Sequence, residues 1–372
     1  MNGNDPRPTP SILAQGQGMT RRSALRLAFA FSASSSLLQG ADEPPPQRRG
    51  WGRRRDTALP APGPASPPPP LASDDRHVMI WGDWGAGGRD IRAQTAVATG
   101  MARYTKALGV APACQFLLGD NFYGSFKGGV DSPRWKTQFE DMYPAATFPG
   151  PCHALLGNHD YDDSPGTKLV AELQYARKNP STRWSMPSNW YAFTLPDAAG
   201  RPLAKCIVLD SNYQNSVISM SAHERVHQLR WFRNELEQPR SAPWLFAMAH
   251  HPLYSQGQHG DHKFLIEDWG PLLREHRVHL FLAGHDHDLQ HLEFEGHPTS
   301  FVISGGGGAH AHAREMEKAP KGRGPYAQTI YGFSHLQLNR ERLVLHHLDA
   351  NGKSLHSFTK SPDSRMQILA RT

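Results

Sequence analysis

The chain has 372 residues and a formal net charge of +6 at pH 7. Ten arginines and six acidic residues fall within positions 1–76, which leaves only +2 for the rest, so the pI of about 9.2 is no argument for nucleic-acid binding. No basic repeat interleaved with aromatic residues supports a nucleic-acid partner either. From His77 onward, about 295 residues remain, enough for a single large domain with a substantial core.

The N-terminus has the pattern of an export signal. Thr20-Arg21-Arg22-Ser23-Ala24-Leu25 precedes an apolar stretch over residues 27–38 and resembles a twin-arginine signal. The stretch is shorter than the roughly 20 residues that span a bilayer. We therefore expect an export signal over residues 1–43, with Met19 as an alternative start, a periplasmic or secreted location and no permanent membrane anchor. A disordered basic tail is the alternative interpretation.

A proline- and arginine-rich segment follows over residues 44–76. Such segments stay extended and solvated, so we expect a linker rather than a domain. The folded domain is then expected over residues 77–372, and we expect it to be a monomer.

Apolar runs and helical periodicity predict the elements of this domain. Strands are expected near 77–82, 114–119, 152–156, 190–195, 205–210, 244–249, 279–283, 299–304, 333–338 and 342–348. Helices are expected over Arg89–Leu108, Pro133–Tyr143, Lys168–Lys178, Ser221–Glu237 and Phe264–His276. Strand and helix alternate early and strands crowd late, which suits an α/β (α+β) fold of two packed mixed sheets flanked by helices.

Five of the apolar runs end in Gly or Ala followed at once by a polar side chain. The polar residues are Asp83, Asp120, Asn158 with His159, His250, and His285 with His287. Ligands of open α/β sheets bind beyond the carboxyl ends of the strands, so these side chains are expected to converge. Carboxylate, amide and imidazole donors without cysteine favour iron, manganese or zinc.

So many donors exceed the needs of one ion. A catalytic ion keeps a position open for water, so six or seven ligands indicate two ions that share a bridge, for which Asp120 is the natural candidate. On an extended segment, His285 and His287 would place their rings on the same side about 6.6 Å apart. Each could then serve a different ion of a pair roughly 3.5–4 Å apart.

The blocks occur in a definite order along the chain. They read Gly82-Asp83-Trp84-Gly85, Gly119-Asp120-Asn121-Phe122-Tyr123, Gly157-Asn158-His159-Asp160, Ala249-His250-His251-Pro252 and Gly284-His285-Asp286-His287. This series resembles that of the purple acid phosphatases, within the calcineurin-like metallophosphoesterases. The match is to the small, mammalian tartrate-resistant type and extends from about Val78 to the Ser304–Gly307 stretch. The resemblance implies a four-layer αββα sandwich.

The resemblance also implies roles for individual residues. Asp83, Tyr123 and His287 would hold Fe(III), Asn158, His250 and His285 would hold a divalent Fe, Zn or Mn ion, and Asp120 would bridge. The Tyr123 phenolate would colour the protein. The five positive charges of the ions exceed by one the four negative charges of two carboxylates, the phenolate and a bridging hydroxide. This surplus attracts a phosphate monoester, which a metal-bound hydroxide would hydrolyse even in acid.

Two further histidines fit the substrate side of such a site. His159 follows Asn158 directly, and His259 lies in the segment after His250. Either could hydrogen-bond the phosphate or protonate the leaving alkoxide; solvated surface histidines are the alternative. His251 and Asp286 are interpreted as residues that support the ligands or the local structure.

Several other features are given structural interpretations. Gly305–Gly308 is expected to be flexible backbone near the phosphate, with His310 and His312 exposed beyond it. His346 and His347 are expected on a sheet surface, in a hairpin around Asn351-Gly352. The stretch over residues 318–323 is expected to be a mobile surface loop. Cys114, Cys152 and Cys206 are expected to be buried, although export would permit one disulfide.

The main prediction is thus an enzyme, an acid phosphatase acting on a small phosphate ester. One alternative is a Mn- or Zn-dependent phosphodiesterase or nucleotidase, in which Tyr123 would be unbound. The other is a non-catalytic secreted protein that binds phosphate or metal, which the loss of a ligand would favour; every block residue is present.

Overall fold

The computed structural model describes residues 72–86, 91–162, 167–213, 220–309 and 324–370, together with Leu59, Gly63 and Ser66. The predicted export signal, most of the linker, His310, His312 and the 318–323 stretch lie outside these residues. Within the described ranges, no helix combines the length and the apolar character that crossing a membrane requires.

Fifteen strands and four α-helices make up the described part of the domain. The strands are β1 (Arg76–Trp81), β2 (Cys114–Leu117), β3 (Cys152–Ala154), β4 (Trp184–Ser185), β5 (Tyr191–Pro196), β6 (Pro202–Val208), β7 (Trp244–Met248), β8 (Leu280–Ala283), β9 (Leu289–Leu292), β10 (Ser300–Ser304), β11 (Tyr326–Gln328), β12 (Gly332–Leu338), β13 (Leu343–Asp349), β14 (Ser354–Lys360) and β15 (Met366–Ile368). The helices are α1 (Arg92–Leu108), α2 (Thr167–Lys178), α3 (Ala222–Glu237) and α4 (Lys263–Glu275), with a 3-10 turn at Gly129–Asp131 and a π-helix at Trp135–Glu140.

The strands form two mixed sheets. The eight-stranded sheet has the order β15-β14-β13-β12-β1-β2-β3-β4, and the seven-stranded sheet has the order β11-β9-β10-β8-β7-β6-β5. Strands β1, β2, β3 and β4 are parallel to one another, as are β6, β7, β8 and β10, while the remaining pairings are antiparallel. The ligand-bearing strands therefore belong to the parallel part of each sheet.

Strand β7 shows how the layers pack. Trp244, Phe246 and Met248 belong to the core that includes side chains of the eight-stranded sheet. Leu245 and Ala247, which point the other way, pack in a second core with side chains of α3 and α4. Because both faces of the strand are buried, its sequence is a continuous apolar run. The predicted fold class, two mixed sheets flanked by helices, is confirmed.

Differences from the predicted elements are mostly of length. The predicted helix over residues 133–143 is replaced by a six-residue π-helix, in which the Asp141 amide donates to Lys136 O at 2.8 Å. Strands β4, β9, β11 and β15 were not predicted, because two to four residues are too few to give a periodic pattern. Strand β14 is the return strand of the hairpin expected around Asn351-Gly352.

The prediction that His346 and His347 lie on a sheet surface was wrong. Every residue of β13 is buried, because both faces of the strand are covered. His347 is hydrogen-bonded to Ser334 Oγ at 2.8 Å and donates through Nε2 to Gln290 O at 3.0 Å, while His346 Nδ1 is bonded to Ser357 Oγ at 2.7 Å. Partners on neighbouring strands thus replace the solvent.

Two residues of the predicted linker contact the domain. The amide of Ser66 donates to Gly352 O at 3.1 Å, and its hydroxyl accepts from the amide of Ser354 at 2.8 Å. The carboxylate of Asp75 is buried and accepts from Asn339 Nδ2 at 3.0 Å. At these two residues the segment before β1 is therefore held against the β12–β14 region instead of being fully solvated.

All three cysteines are buried and unpaired. They lie on β2, β3 and β6, inside the common core. Burial raises the pKa of the Cys152 thiol to about 12, so this group stays protonated and unreactive at ordinary pH. The cysteines therefore act as small apolar side chains, as the sequence predicted.

Candidate metal centre

All seven predicted metal ligands lie at one place in the fold. They follow the carboxyl ends of β1 (Asp83), β2 (Asp120 and Tyr123), β3 (Asn158), β7 (His250) and β8 (His285 and His287). The two sheets are joined there, because the amide of Gly82 donates to Ser304 O at 2.7 Å. Parallel strands bring their carboxyl ends to one edge, and this link brings the two edges together.

One half of the cluster surrounds the phenol of Tyr123. Its oxygen lies 2.9 Å from Asp120 Oδ2, 3.1 Å from Asp83 Oδ1 and 3.0 Å from His287 Nε2. A hydroxyl has one proton and can donate to only one of these three groups. Asp83 and Asp120 are themselves buried, so the remaining lone pairs face one another away from bulk solvent.

The other half surrounds His250. Its Nε2 lies 3.2 Å from Asn158 Oδ1, 3.3 Å from Asp120 Oδ2 and 3.3 Å from His285 Nδ1. His250 Nδ1 is 2.8 Å from Leu118 O, and since a carbonyl only accepts, Nδ1 carries the hydrogen. In the neutral ring the Nε2 lone pair then points at other acceptors, which is the arrangement of a metal-binding imidazole.

The donors fit a pair of cations. Asp83, Asp120 and His250 each offer a ligand atom, and these atoms lie within 4.8 Å of one another. Asp120 Oδ2 contacts both the Tyr123 half and the His250 half, which is the position of a bridge. Oxygen and imidazole donors without sulfur suit iron, manganese or zinc.

The electrostatics of the cluster agree with this fit. Burial raises the pKa of Tyr123 well above its ordinary value, and the charges of Asp120 and Asp83 raise it further. Burial lowers the pKa of His250, but these two carboxylates outweigh burial and raise it to about 10. Without cations, protons therefore occupy the cluster, and a phenolate at Tyr123 requires a strongly charged cation.

Three of these ligands have unusual backbone conformations. Asp83, Asp120 and His285 have φ angles of 58°, 48° and 71°. Side-chain-bearing residues rarely adopt this left-handed region, at a cost of order 1–3 kcal/mol each, and such residues cluster at functional sites. The turn that follows each strand is thus tight enough to aim the side chain back into the cluster.

Close packing explains the small residue before several ligands. A Cβ atom on Gly157 would lie 2.1 Å from Asp120 Oδ1, and one on Gly284 would lie 2.5 Å from Asp83 Oδ2. Both distances are far below van der Waals contact, so any side chain would displace a ligand carboxylate.

His285 and His287 enter different halves of the cluster, but not by the predicted geometry. His285 Nδ1 faces His250, whereas His287 Nε2 faces Tyr123. The expectation of an extended segment was wrong, because His285 has a positive φ. The chain turns after β8, and the two rings use different nitrogens, Nδ1 in His285 and Nε2 in His287. The two imidazoles therefore face different halves of the cluster.

The glycine-rich segment after β10, Gly305–Gly308, is buried. A Cβ on Gly305 would lie 2.1 Å from Asp286 O, and one on Gly307 would lie 2.2 Å from Gly82 O. These glycines therefore permit close approach of the backbone beneath the ligands.

His159 and His259 lie beside the cluster, on its open side. His159 Nδ1 is bonded to Asp162, and its ring packs 4.5 Å from that of Tyr123, with 38% of the side chain exposed. His259 Nδ1 lies 2.8 Å from Asp286 Oδ1, and 42% of its side chain is exposed. Each histidine is thus oriented by a carboxylate.

His251 and Asp286 lie behind these groups. His251 Nδ1 is 2.8 Å from Ser211 Oγ, and its ring packs 4.2 Å from that of His285. Ser255 donates to Asp286, the carboxylate that orients His259. Both residues therefore support the ligands or the substrate side, in line with the sequence interpretation.

Asp160 was not assigned a role from the sequence, although it lies within the Gly157–Asp160 block. Its carboxylate accepts from the amides of Gly157 at 2.8 Å, Asn121 at 2.9 Å and Phe122 at 3.2 Å. It therefore ties the loop after β3 to the loop after β2. The sequence signal that could have identified Asp160 is its position four residues after the apolar run.

Strand β6 carries a sixth strand-end block that the sequence analysis did not recognise. It ends in Asp210-Ser211-Asn212 and runs parallel to β7. Ser211 bonds His251, and Asp210 accepts from the hydroxyl of Tyr161. The block therefore supports the site from beneath.

Arg134 gave no signal in the sequence. Its guanidinium donates to Tyr123 O at 2.9 Å and to Gly85 O at 3.2 Å. Because Gly85 lies two residues after Asp83, Arg134 links the loops that carry two neighbouring ligands.

A sandwich of two mixed sheets, with Asp, Asn, His and Tyr side chains gathered at the carboxyl ends of its parallel strands, defines a metallophosphoesterase architecture. Residues 77–289 match the family model of the calcineurin-like phosphoesterases, and the chain belongs to this family.

Curated relatives that the chain is similar to are acid phosphatases. It is 28% identical over 308 residues to tartrate-resistant acid phosphatase type 5 of Sus scrofa, covering 77% of this chain and 86% of that protein. It is 27% identical over 298 residues to purple acid phosphatase 4 of Arabidopsis thaliana, covering 76% and 83% of the two chains. The predicted resemblance to purple acid phosphatases is confirmed.

Solved structures share the fold. GAP50, the anchor in the inner membrane complex of Plasmodium, has a TM-score of 0.62 and 20% identity over 77% of this chain and 88% of its own. A purple acid phosphatase from yellow lupin (Lupinus luteus) seeds has a TM-score of 0.55 and 18% identity over 82% of this chain and 56% of its own. At such identities the likeness concerns the fold alone.

Proposed function

We propose that this chain is an acid phosphatase that hydrolyses phosphate monoesters with a binuclear centre of Fe(III) and a divalent Fe, Zn or Mn ion. The observation that carries the proposal is the phenol of Tyr123, which lies within 3.1 Å of Asp83, Asp120 and His287. The names of the acid phosphatase relatives support it.

The two halves of the cluster support a division of the ligands between the ions. Asp83, Tyr123 and His287 would hold the trivalent ion; Asn158, His250 and His285 would hold the divalent ion, with Asp120 as the bridge. When bound, the two ions supply positive charge that polarises the phosphoryl group and activates water.

The chain's own residues then bind and orient the ester. His159 and His259, on the open side of the cluster, would hydrogen-bond the phosphate oxygens. Since His259 Nδ1 donates to Asp286, Nε2 is the atom from which a proton would pass to the leaving-group oxygen. Asp286 fixes the tautomer and orientation of this ring.

Replacing His259 tests the proton transfer. We expect His259→Ala to lower kcat by about 10²-fold for alkyl phosphates, whose alkoxide leaving groups need a proton. The loss should be much smaller for 4-nitrophenyl phosphate, whose leaving group is stable as an anion. Bound metal, measured by elemental analysis, should stay at the wild-type level.

The exposed His223 offers a matched control, because it lies in the first turn of α3 and outside the cluster. His223→Ala should behave like the wild type with both substrates. An equal loss for both substrates in His259→Ala would show that His259 binds phosphate and does not donate the proton.

The visible absorption spectrum of the purified full chain, recorded with its metal content, tests the proposal as a whole. We expect a charge-transfer band together with bound iron. The band should disappear in Tyr123→Phe and persist in Tyr104→Phe, because Tyr104 is a buried tyrosine bonded to His335 outside the centre.

The alternatives predict different results. A colourless protein with two manganese or zinc ions that cleaves diesters or nucleotides would establish the phosphodiesterase or nucleotidase interpretation. A metal-loaded protein with no turnover of any phosphate ester would establish the binding-protein interpretation.

We also propose that the enzyme acts as an exported monomer, in the periplasm or outside the cell. The twin-arginine pattern of Thr20–Leu25 supports the export part of this proposal. A small phosphate ester is the proposed partner.

A further inference from the structure

Helix α2 carries two charged side chains that are wholly buried. Lys168 and Glu172 have no exposed surface and lie one helical turn apart on the same face. Burial of an ion costs several kcal/mol, and a cation in the first turn opposes the helix dipole. The ammonium of Lys168 therefore requires specific partners that offset these costs.

The contacts of the two side chains lead to the ligand loops. Lys168 Nζ donates to Phe122 O at 2.9 Å and to His159 O. Glu172 Oε2 accepts from Asn121 Nδ2 at 2.9 Å. Asn121 and Phe122 separate the ligands Asp120 and Tyr123, and His159 adjoins Asn158.

A third buried group belongs to this cluster. The carboxylate of Asp160 is buried against the same loops; burial and the charge of Asp120 raise its pKa, and the positive charge of Lys168 opposes this rise. Burial, followed by the charge of Asp160, raises the pKa of Glu172 well above its usual value. Lys168 and Glu172 thus act in a buried polar cluster, in which Glu172 is a hydrogen-bonding partner of Asn121.

We propose that Lys168 and Glu172 are positioning residues for the metal centre. They fix the loop after β2 against the loop after β3 at the separation that lets Asp120, Tyr123 and Asn158 converge. The inference rests on the metal-binding part of the proposed function and not on the identity of the substrate.

The test is the affinity of the metal-stripped full chain for Zn²⁺, measured by competition with a chromophoric chelator. We expect Lys168→Met and Glu172→Leu to weaken Zn²⁺ binding by about 10–100-fold, the usual effect of losing a group that supports metal ligands. Glu172→Gln keeps an acceptor for Asn121 and should stay within about twofold of the wild type.

Lys360 provides a matched control. It is also a buried lysine, and its ammonium donates to His279 O at 3.1 Å and to Pro298 O at 2.6 Å. These carbonyls precede β8 and β10, at the opposite end of the strands from the ligands. Lys360→Met should lower the unfolding stability about as much as Lys168→Met but leave Zn²⁺ affinity unchanged.

Wild-type Zn²⁺ affinity in folded Lys168→Met and Glu172→Leu would overturn the inference, as would equal weakening by Lys360→Met. Should Lys168→Met fail to fold, the comparison of Glu172→Leu with Glu172→Gln decides the question. A wild-type chain that binds Zn²⁺ yet hydrolyses no phosphate ester overturns the proposed phosphatase, while the affinities still decide the positioning roles.

Discussion

Asp120→Ala is expected to abolish turnover and to deplete at least one of the two ions. Asp120 Oδ2 lies 2.9 Å from the Tyr123 phenol and 3.3 Å from His250 Nε2, so this carboxylate contacts both halves of the cluster. A bound ion is worth several kcal/mol of transition-state stabilisation, so we expect a fall in kcat/KM of about 10³-fold or more. Elemental analysis and monoester hydrolysis measure the two effects.

Asp131→Ala is the matched control for this variant. Asp131 is also a carboxylate, in the 3-10 turn at Gly129–Asp131, but 79% of its side chain is exposed and it pairs with Lys178 at 3.4 Å. Its removal should leave rate and metal content unchanged. A near-native rate with full metal in Asp120→Ala would show that the assignment of the bridge is wrong.

The convergence of the ligands could be predicted because both signals, the apolar run and the polar residue that follows it, are local in the sequence. An apolar run predicts a buried strand, and the residue after it is placed by the end of that strand. Five such blocks specify one edge even before the strand order is known. The pattern does not contain the backbone conformation. Because His285 has a positive φ, the extended geometry predicted for the His285–His287 segment was wrong, although the two imidazoles still face different halves of the cluster.

The supporting residues could not be predicted in this way. Arg134 and Lys168 bind backbone carbonyls, which every residue possesses, so their partners leave no mark in the sequence. Glu172 likewise binds Asn121 from 51 positions away. A lone charged residue in a helical pattern is most simply interpreted as solvent-exposed, and only the fold shows that Lys168 and Glu172 are buried.

Burial also explains why the predicted location of His346 and His347 on a sheet surface was wrong. The run that contains His346 and His347 has the periodicity of a strand, but polar side chains in a strand are ordinarily expected on a solvated face. Here both faces are covered, and His335, on the neighbouring β12, is buried as well. The fold thus holds several buried imidazoles, and protonating them in acid is unfavourable.

The unfolding free energy of the metal-free protein is therefore expected to fall as the pH drops from 7.5 to 5. Burial lowers the pKa of both His279 and His346 to about 4. In the unfolded chain a histidine titrates near 6.5, so below that pH the unfolded state takes up protons that the folded state cannot accept. Each of these two residues should remove about 2 kcal/mol by pH 5, with the loss continuing down to about pH 4.

Urea denaturation at a series of pH values measures this effect. His346→Gln should flatten the pH dependence by about 2 kcal/mol over this range, whereas His223→Gln, on an exposed residue, should leave it unchanged. Equal slopes for His346→Gln and the wild type would show that His346 is not held neutral in the fold.

An enzyme proposed to work in acid would thus have a core that is destabilised by acid. Ions that bind only the folded state oppose this loss, since their contribution grows with the ratio of free metal to Kd and reaches about 4 kcal/mol at a 1,000-fold excess. We therefore expect the metal-loaded chain to remain folded at pH 5 under conditions that unfold the metal-free chain. In this protein the ions would then be required for the stability of the fold at the working pH as well as for catalysis.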